Sequence, residues 1–189
     1  MSKSTDKRER IVEAATALFH RYGFKRTSVD LLASEARVAK PTVYAYFEDK
    51  EAIFRAVVTA VCDELVETAR RASARAGPIE ERLAAMLAAK FTRYFELVQA
   101  SPHAQELIDS QGQLGAEIVQ RSDRAYLALL VSVLEGSELD PGRAGLTATA
   151  AAQLLLRAAS GAAYDAKTPA AHRRHLTEIV RVVVRAMRR

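Results

Sequence analysis

The stretch Thr27–Lys50, TSVDLLASEARVAKPTVYAYFEDK, decides the fold. Thr27 and Ser28 can cap a short helix that ends near Ala36, because a side-chain hydroxyl accepts a hydrogen bond from a free N–H of the first turn. A second helix begins around Lys40, where Pro41 sits in the first turn and forfeits no intrahelical bond, and ends near Phe47. Leu32 and Ala36 then face inward from the first helix. Val43 and Phe47, four apart, do so from the second, and Val38 fills the turn. Lys40, Thr42, Ala45 and Tyr46 are left facing outward. Two short helices with apolar inner faces, a tight turn, and small, hydroxylic and basic residues on the outer face of the second make a helix-turn-helix. Between Ser34 and Phe47 the one acid is Glu35, while Arg37 and Lys40 bracket the turn, so a phosphate backbone meets little repulsion there.

Outward from this stretch the chain reads as helix throughout. Upstream, Asp6 and Glu9 form a capping box, Ile11, Ala15, Leu18, Phe19 and Tyr22 recur at helical spacing, and Gly23 supplies the stop. Downstream, Asp49 is an N-cap for a long fourth helix whose stripe Ile53, Val57, Val61 and Leu65 runs toward Arg75. Beyond Gly77, Pro78, Pro102, Pro141 and Pro169 each stand where a helix can start, and five more helices are expected, about nine in all. The helix after Pro78 carries Leu83, Leu87, Phe91, Tyr94 and Val98. An alanine-rich helix from Pro141 to Tyr164 holds Gly145 and Gly161, where a neighbouring helix can approach closely. The last presents Leu176, Ile179, Val180, Val183 and Met187. Two such C-terminal helices suit a dimer interface, and burial within one chain is an equally simple reading.

Composition agrees. The 189 residues include 36 alanines against 8 glycines and 5 prolines, which favours helix and leaves few breakers for a turn-rich β fold, so an all-α protein is expected. The net charge of +5 is weighted toward the N-terminal part, where the first 55 residues carry +3. That suits a polyanionic partner without requiring one. A single cysteine, Cys62, excludes an internal disulfide and a multi-cysteine zinc site and fits a reducing compartment. No apolar run approaches the ~18 residues of a membrane span. The first apolar stretch carries Glu13, His20 and Arg21 and is no signal peptide, so a cytoplasmic location is expected.

The segment from Ile11 to Phe19, then Gly23, Thr27 and Ser28, and above all Lys40 to Phe47 with Tyr44 and Tyr46, followed by Lys50 and Phe54, closely resembles the tetracycline-repressor-like (TetR-type) family of bacterial transcription regulators. The resemblance covers about the first 55 residues. It implies a three-helix helix-turn-helix DNA-binding domain, residues 1–50, and a helical effector-binding and dimerisation domain, residues 51–189. It assigns Thr27 and Tyr44 to phosphates, and Lys40, Pro41, Thr42, Ala45 and Tyr46 to the face in the major groove. Lys50 would meet a phosphate at the start of the fourth helix. Two positions depart from the family pattern. Arg37 stands where a turn glycine is common, so a left-handed backbone there costs about 1 kcal/mol more, which a phosphate contact can offset. Ala39 replaces a customary serine and loses a hydroxyl cap worth ~1 kcal/mol.

The implied partners are a near-palindromic double-stranded DNA operator, a second copy of the chain and a small, largely apolar effector, with no cofactor and no membrane. Phe91, Tyr94, His103 and Tyr126 are the candidate effector residues, although by spacing alone the aromatic stripe of Phe91, Tyr94 and Phe95 reads first as core. His103, Gln111, Gln153 and Arg157 are the polar groups that can face an apolar cavity, and being exposed or at an interface is an equal reading for each. His172 and His175, three apart with two arginines between them, read as a solvated face rather than a metal site. Cys62 beside Val58, Val61 and Leu65 reads as a small buried hydrophobe, and Glu80 and Glu81 as first-turn charges favoured by the helix dipole. The phosphate-loop, GxGxxG and GxSxG patterns are absent, which disfavours catalysis. The function expected is a sequence-specific repressor released from its operator by a small molecule. Its rivals are an all-helical enzyme using His103 and nearby acids, and a structural helical dimer that binds DNA weakly through charge.

Overall fold

The computed structural model describes residues 3–99, 101–162 and 166–188, and among them every regular element is helical. The order is α1 (Lys3–Tyr22), α2 (Val29–Glu35), α3 (Lys40–Tyr46), α4 (Lys50–Ser73), α5 (Ile79–Gln99), α6 (Ala104–Leu114), α7 (Ala116–Glu135), a 3₁₀ turn (Pro141–Ala144), α8 (Ala148–Gly161) and α9 (Pro169–Met187). No helix among the described residues is long and apolar enough to cross a membrane. The chain forms two compact units, Met1–Asp63 with Leu97–Gln120, and Glu64–Glu96 with Arg121–Arg189.

The first unit closes around the inner faces foreseen from the sequence. Ile11, Ala15, Leu18 and Phe19 of α1, Leu32 and Ala36, Val43 and Phe47, and Ile53, Phe54, Val57, Val58 and Cys62 of α4 form one buried cluster. Phe19, Phe24 and Phe54 meet edge to face or tilted, with centroids 5.5 Å (Phe19–Phe24), 5.6 Å (Phe19–Phe54) and 4.9 Å (Phe24–Phe54) apart. Pairs of this geometry add about 0.5–1.5 kcal/mol each beyond the area they bury. The caps are local. The Ser28 hydroxyl accepts from the Leu31 N–H at 3.2 Å and the Asp49 carboxylate from the Ala52 N–H at 2.6 Å, while Ala39 gives α3 no side-chain cap. Gly115, between α6 and α7, is where backbone closeness matters: a Cβ there would stand 3.1 Å from Val58 Cγ1 of α4.

The second unit packs α8 on α9 and both on α5 and α7. Its core includes Leu83, Met86, Leu87, Tyr126, Leu130, Leu134, Ala151, Ala152, Leu155 and Ala159. Three expectations need correction here. The alanine-rich helix begins at Ala148 and not at Pro141, because Gly145 takes a left-handed conformation (φ 68°) and Thr147 caps the new helix, its hydroxyl accepting from the Ala150 N–H at 3.1 Å. Tyr164 lies outside the described residues. Among the described residues, neither Gly145 nor Gly161 has an atom within 4 Å of where a Cβ would stand, so no described helix closes on them. Finally, α9 buries Leu176, Val180, Val184 and Met187, with Ile179 and Val183 only partly covered.

His172 continues that stripe one turn earlier and is fully buried, which corrects its reading as a solvated face. Its Nδ1 shares a 3.0 Å hydrogen bond with the Thr92 hydroxyl of α5. Burial, and then the neighbouring His175 and Arg173 charges, lower its pKa below the ordinary 6.5. The unfolded chain therefore takes up a proton near pH 6.5 that the folded chain resists. Stability is full above that pH and falls as the pH drops below it. Urea midpoints measured from about pH 7.5 to about pH 5.5 should fall for the wild type and fall less for His172→Asn. The same pH dependence in both proteins would contradict this role.

Candidate nucleic-acid interface

The face is built on α3. Val43 and Phe47 turn inward, so on the other side of the helix Lys40, Pro41, Tyr44 and Ala45 stand exposed, Tyr44 with half of its surface open, while Thr42 and Tyr46 are half-buried. Tyr46 is the departure from expectation, because its ring also packs against the first unit's core. Lys40 Nζ lies 2.9 Å from a carboxylate oxygen of Asp30 on α2. That hydrogen bond, and then the carboxylate's charge, raise the Lys40 pKa above its ordinary value. Asp30 and Lys40 thus form an exposed ion pair that links α2 to the start of α3.

Arg37 adopts the left-handed conformation anticipated for a turn glycine, at φ 53°, the one non-glycine residue among those described with positive φ. The turn is a Schellman motif: the Val38 N–H donates to the Ala33 carbonyl at 3.0 Å and the Arg37 N–H to the Ser34 carbonyl at 3.1 Å. Arg10 of α1 clamps it. Its Nη2 donates to the carbonyl oxygens of Ala36 and, at 3.0 Å, of Arg37. The Arg37 side chain itself is exposed, a cation at the entrance to α3. Arg37→Gly should therefore raise stability by about 0.5–1 kcal/mol by removing a left-handed β-carbon. It should also lower the salt dependence of DNA binding by about one unit, through loss of a phosphate partner. Chemical denaturation and anisotropy titrations over a salt series read the two effects separately. A destabilised variant with unchanged salt dependence would contradict both assignments.

The remaining DNA-facing candidates have internal duties. The Thr27 hydroxyl is buried and donates to the Gly23 carbonyl at 2.7 Å, which leaves its main-chain N–H as the group it can offer a phosphate. Lys50 Nζ donates to the carbonyls of Phe24 at 2.9 Å and Lys25 at 3.3 Å and sits 4.5 Å over the Phe24 ring. An ammonium has three donors, so one remains for a phosphate. The same loop is held from α6, where Glu106 accepts from the Lys25 N–H at 2.6 Å, and just before α6 the Ser101 hydroxyl donates to the His20 carbonyl in the last turn of α1 at 2.8 Å. Sequence reading missed Arg10, Asp30 and Glu106. Their partners lie 10 to 81 residues away along the chain, and no local spacing announces them.

The effector candidates fall into two groups. Phe91 and Tyr126 belong to the second unit and His103 to the first, while the Tyr94 side chain lies outside the described residues. Tyr126 is buried, its hydroxyl donates to the Met86 carbonyl, and burial raises its phenol pKa. Phe91 is half-buried and lines an open groove of about 400 Å³. Lys90 joins the two rings, its ammonium 5.1 Å from the Tyr126 centroid and 5.9 Å from that of Phe91, and paired with Asp123. The His103 N–H donates to the Ser101 hydroxyl at 3.1 Å, just before α6.

Comparison with known proteins places this geometry. The family model for bacterial regulatory proteins, tetR family, matches residues 11–57, which take in α2, the turn, α3 and the start of α4. The HTH-type transcriptional regulator YhgD of Bacillus subtilis (strain 168), itself uncharacterized, is 29% identical over 138 residues, 70% of this chain and 69% of that one. The HTH-type transcriptional repressor SCO4008 of Streptomyces coelicolor is 43% identical over 49 residues, 26% of each chain. The crystal structure of a TetR-family transcriptional regulator from Streptomyces coelicolor superposes with a TM-score of 0.72, covering 98% of this chain and 97% of that one at 15% identity, a likeness of fold. With that family model matching its helix-turn-helix and a fold shared along nearly its whole length, the chain is similar to tetR-family regulators and is a DNA-binding transcriptional regulator.

Proposed function

We propose that the protein is a repressor that binds a near-palindromic operator as a homodimer and is released by a small-molecule effector. One observation carries the reading. The outer face of α3 stands open on a closed core, with its entry turn fixed by Arg10 and its first lysine paired with Asp30. Such preorganisation matters for base reading, since a side chain displaced by an ångström loses its hydrogen bonds to a base edge. In this reading Tyr44, Arg37, Lys50 and the Thr27 N–H position the protein on phosphates, and Lys40, Pro41, Thr42, Ala45 and Tyr46 face the bases.

One recognition helix spans few base pairs. A two-fold pair reads half-sites one or more helical turns apart, which is the reason for the proposed dimer and palindrome. The proposed division gives residues 1–50 to DNA and 51–189 to dimerisation and the effector. Phe91 lines the groove there, and Tyr94, His103 and Tyr126 stand as candidates from sequence. The effector acts by preferring the conformation that DNA does not, so DNA must weaken the effector in equal measure. A cytoplasmic setting follows from a duty on DNA. Transcription in vitro from a promoter carrying a fragment selected by the protein tests the reading: added protein should lower transcript yield. Raised yield would overturn the repressor assignment.

A further inference from the structure

We infer that the groove among α5, α7 and α8 binds an amphipathic carboxylate, a single carboxylate on an aliphatic or aryl body. The inference rests on the second unit being the effector-binding part and names the effector's chemical class. The groove's apolar wall is Phe91, Leu127 and Leu156. Its polar rim holds three cations, Lys90, Arg124 and Arg157, and one carboxylate, Asp123. These four are not equivalent. Asp123 is taken by the Lys90 ammonium, which the Phe91 and Tyr126 rings also face, so that pair is neutral as a unit. Arg124 on α7 and Arg157 on α8 are exposed, and neither has an ion pair among the described residues.

The groove therefore offers two uncommitted guanidinium groups from two different helices beside an apolar wall. A guanidinium is a planar fork that matches a carboxylate with two parallel hydrogen bonds, and two such forks lining one rim select against cations and gain nothing from a neutral head. A volume of about 400 Å³ lies toward the small end of ligand pockets, which run ~300–1,000 Å³. An occupant of that size can lay its body on Phe91 and Leu156 while its carboxylate reaches the arginines. A purely apolar ligand would use the wall and gain nothing from the two exposed guanidinium groups.

The test uses the full chain and three probes of one chain length: decanoate, decanol and decyltrimethylammonium. Isothermal titration should give decanoate an affinity about tenfold or more above decanol, as expected for charge-assisted hydrogen bonds, and little binding of the cation. The double variant Arg124→Gln with Arg157→Gln should lose the decanoate advantage and keep its weak binding of decanol. Circular dichroism and binding of the protein's selected DNA fragment, measured without ligand, should be unchanged in that variant. Equal affinity for decanoate and decanol, or decanoate binding that survives the double substitution, would overturn the site. Charge-selective binding of decanoate that leaves DNA affinity untouched would support the site and overturn the release step proposed above. The two readings therefore fail separately.

Discussion

Lys50→Ala weakens binding to every duplex, related or unrelated in sequence, and lowers the slope of log affinity against log salt by about one unit. Phosphates carry no sequence information, so the loss is uniform, on the order of tenfold or more at physiological salt. The structure adds a second effect. The Lys50 ammonium already holds the Phe24 and Lys25 carbonyls and faces the Phe24 ring, so alanine also releases the loop that follows α1. Charge-assisted bonds of this kind contribute about 1.5–3 kcal/mol, and the urea midpoint should fall accordingly. Tyr46→Ala differs in kind, because it should alter preference among duplexes and leave the salt slope alone. Fluorescence anisotropy over a salt series, with one selected and one random duplex, separates the two. An unchanged slope for Lys50→Ala would remove its phosphate role and leave the structural one.

Placing a carboxylate at Leu154 or Val182 should dissociate the proposed dimer by about a hundredfold or more, since every substitution appears twice across a two-fold interface and like charges meet there. The choice of positions follows from exposure. Leu154 on α8 is 43% exposed and Val182 on α9 is 69% exposed, while Ala158 and Val183 beside them are partly covered. Both are large aliphatic side chains left open on helices that pack on each other, and the proposed dimer would cover them. Sedimentation at micromolar concentration should show a dimer for the wild type and a monomer for Leu154→Asp with Val182→Asp. Leu154→Ala with Val182→Ala should weaken the dimer while the circular dichroism stays native. Wild-type protein that sediments as a monomer alone and on DNA would contradict the dimer.

The helix-turn-helix was legible because its determinants are local. Ser28 caps three residues ahead, Val43 and Phe47 share a face at a spacing of four, and the strain at Arg37 is visible from the residue type that the turn requires. The second unit was legible only as helices. Which side of α9 is buried depends on what α8 and α5 present to it, and the sequence stripe included Ile179 and Val183 where the fold buries Val184. His172 could have been found, since it precedes Leu176 by four residues in the same register, but the two arginines that follow it suggested solvent. The long-range polar contacts were invisible. Nothing near Arg10 in the sequence marks it as the clamp on the turn at Ala36 and Arg37, and nothing near Glu106 ties it to Lys25. At the groove, Phe91 and Arg157 were each picked out as isolated candidates, whereas the Lys90–Asp123 pair that leaves Arg124 and Arg157 uncommitted appears only once α5 and α7 are packed.

The central claim is that the exposed face of α3 reads base sequence. Genomic fragments retained by the full chain at physiological salt, with excess random duplex as competitor, test it most directly. The account predicts recovery of a shared motif, two half-sites in inverted repeat about one or more helical turns apart, and a changed motif when Tyr46 or Thr42 is replaced by alanine. Retention of fragments with no common sequence, or the same motif from the Tyr46→Ala and Thr42→Ala proteins, would contradict it.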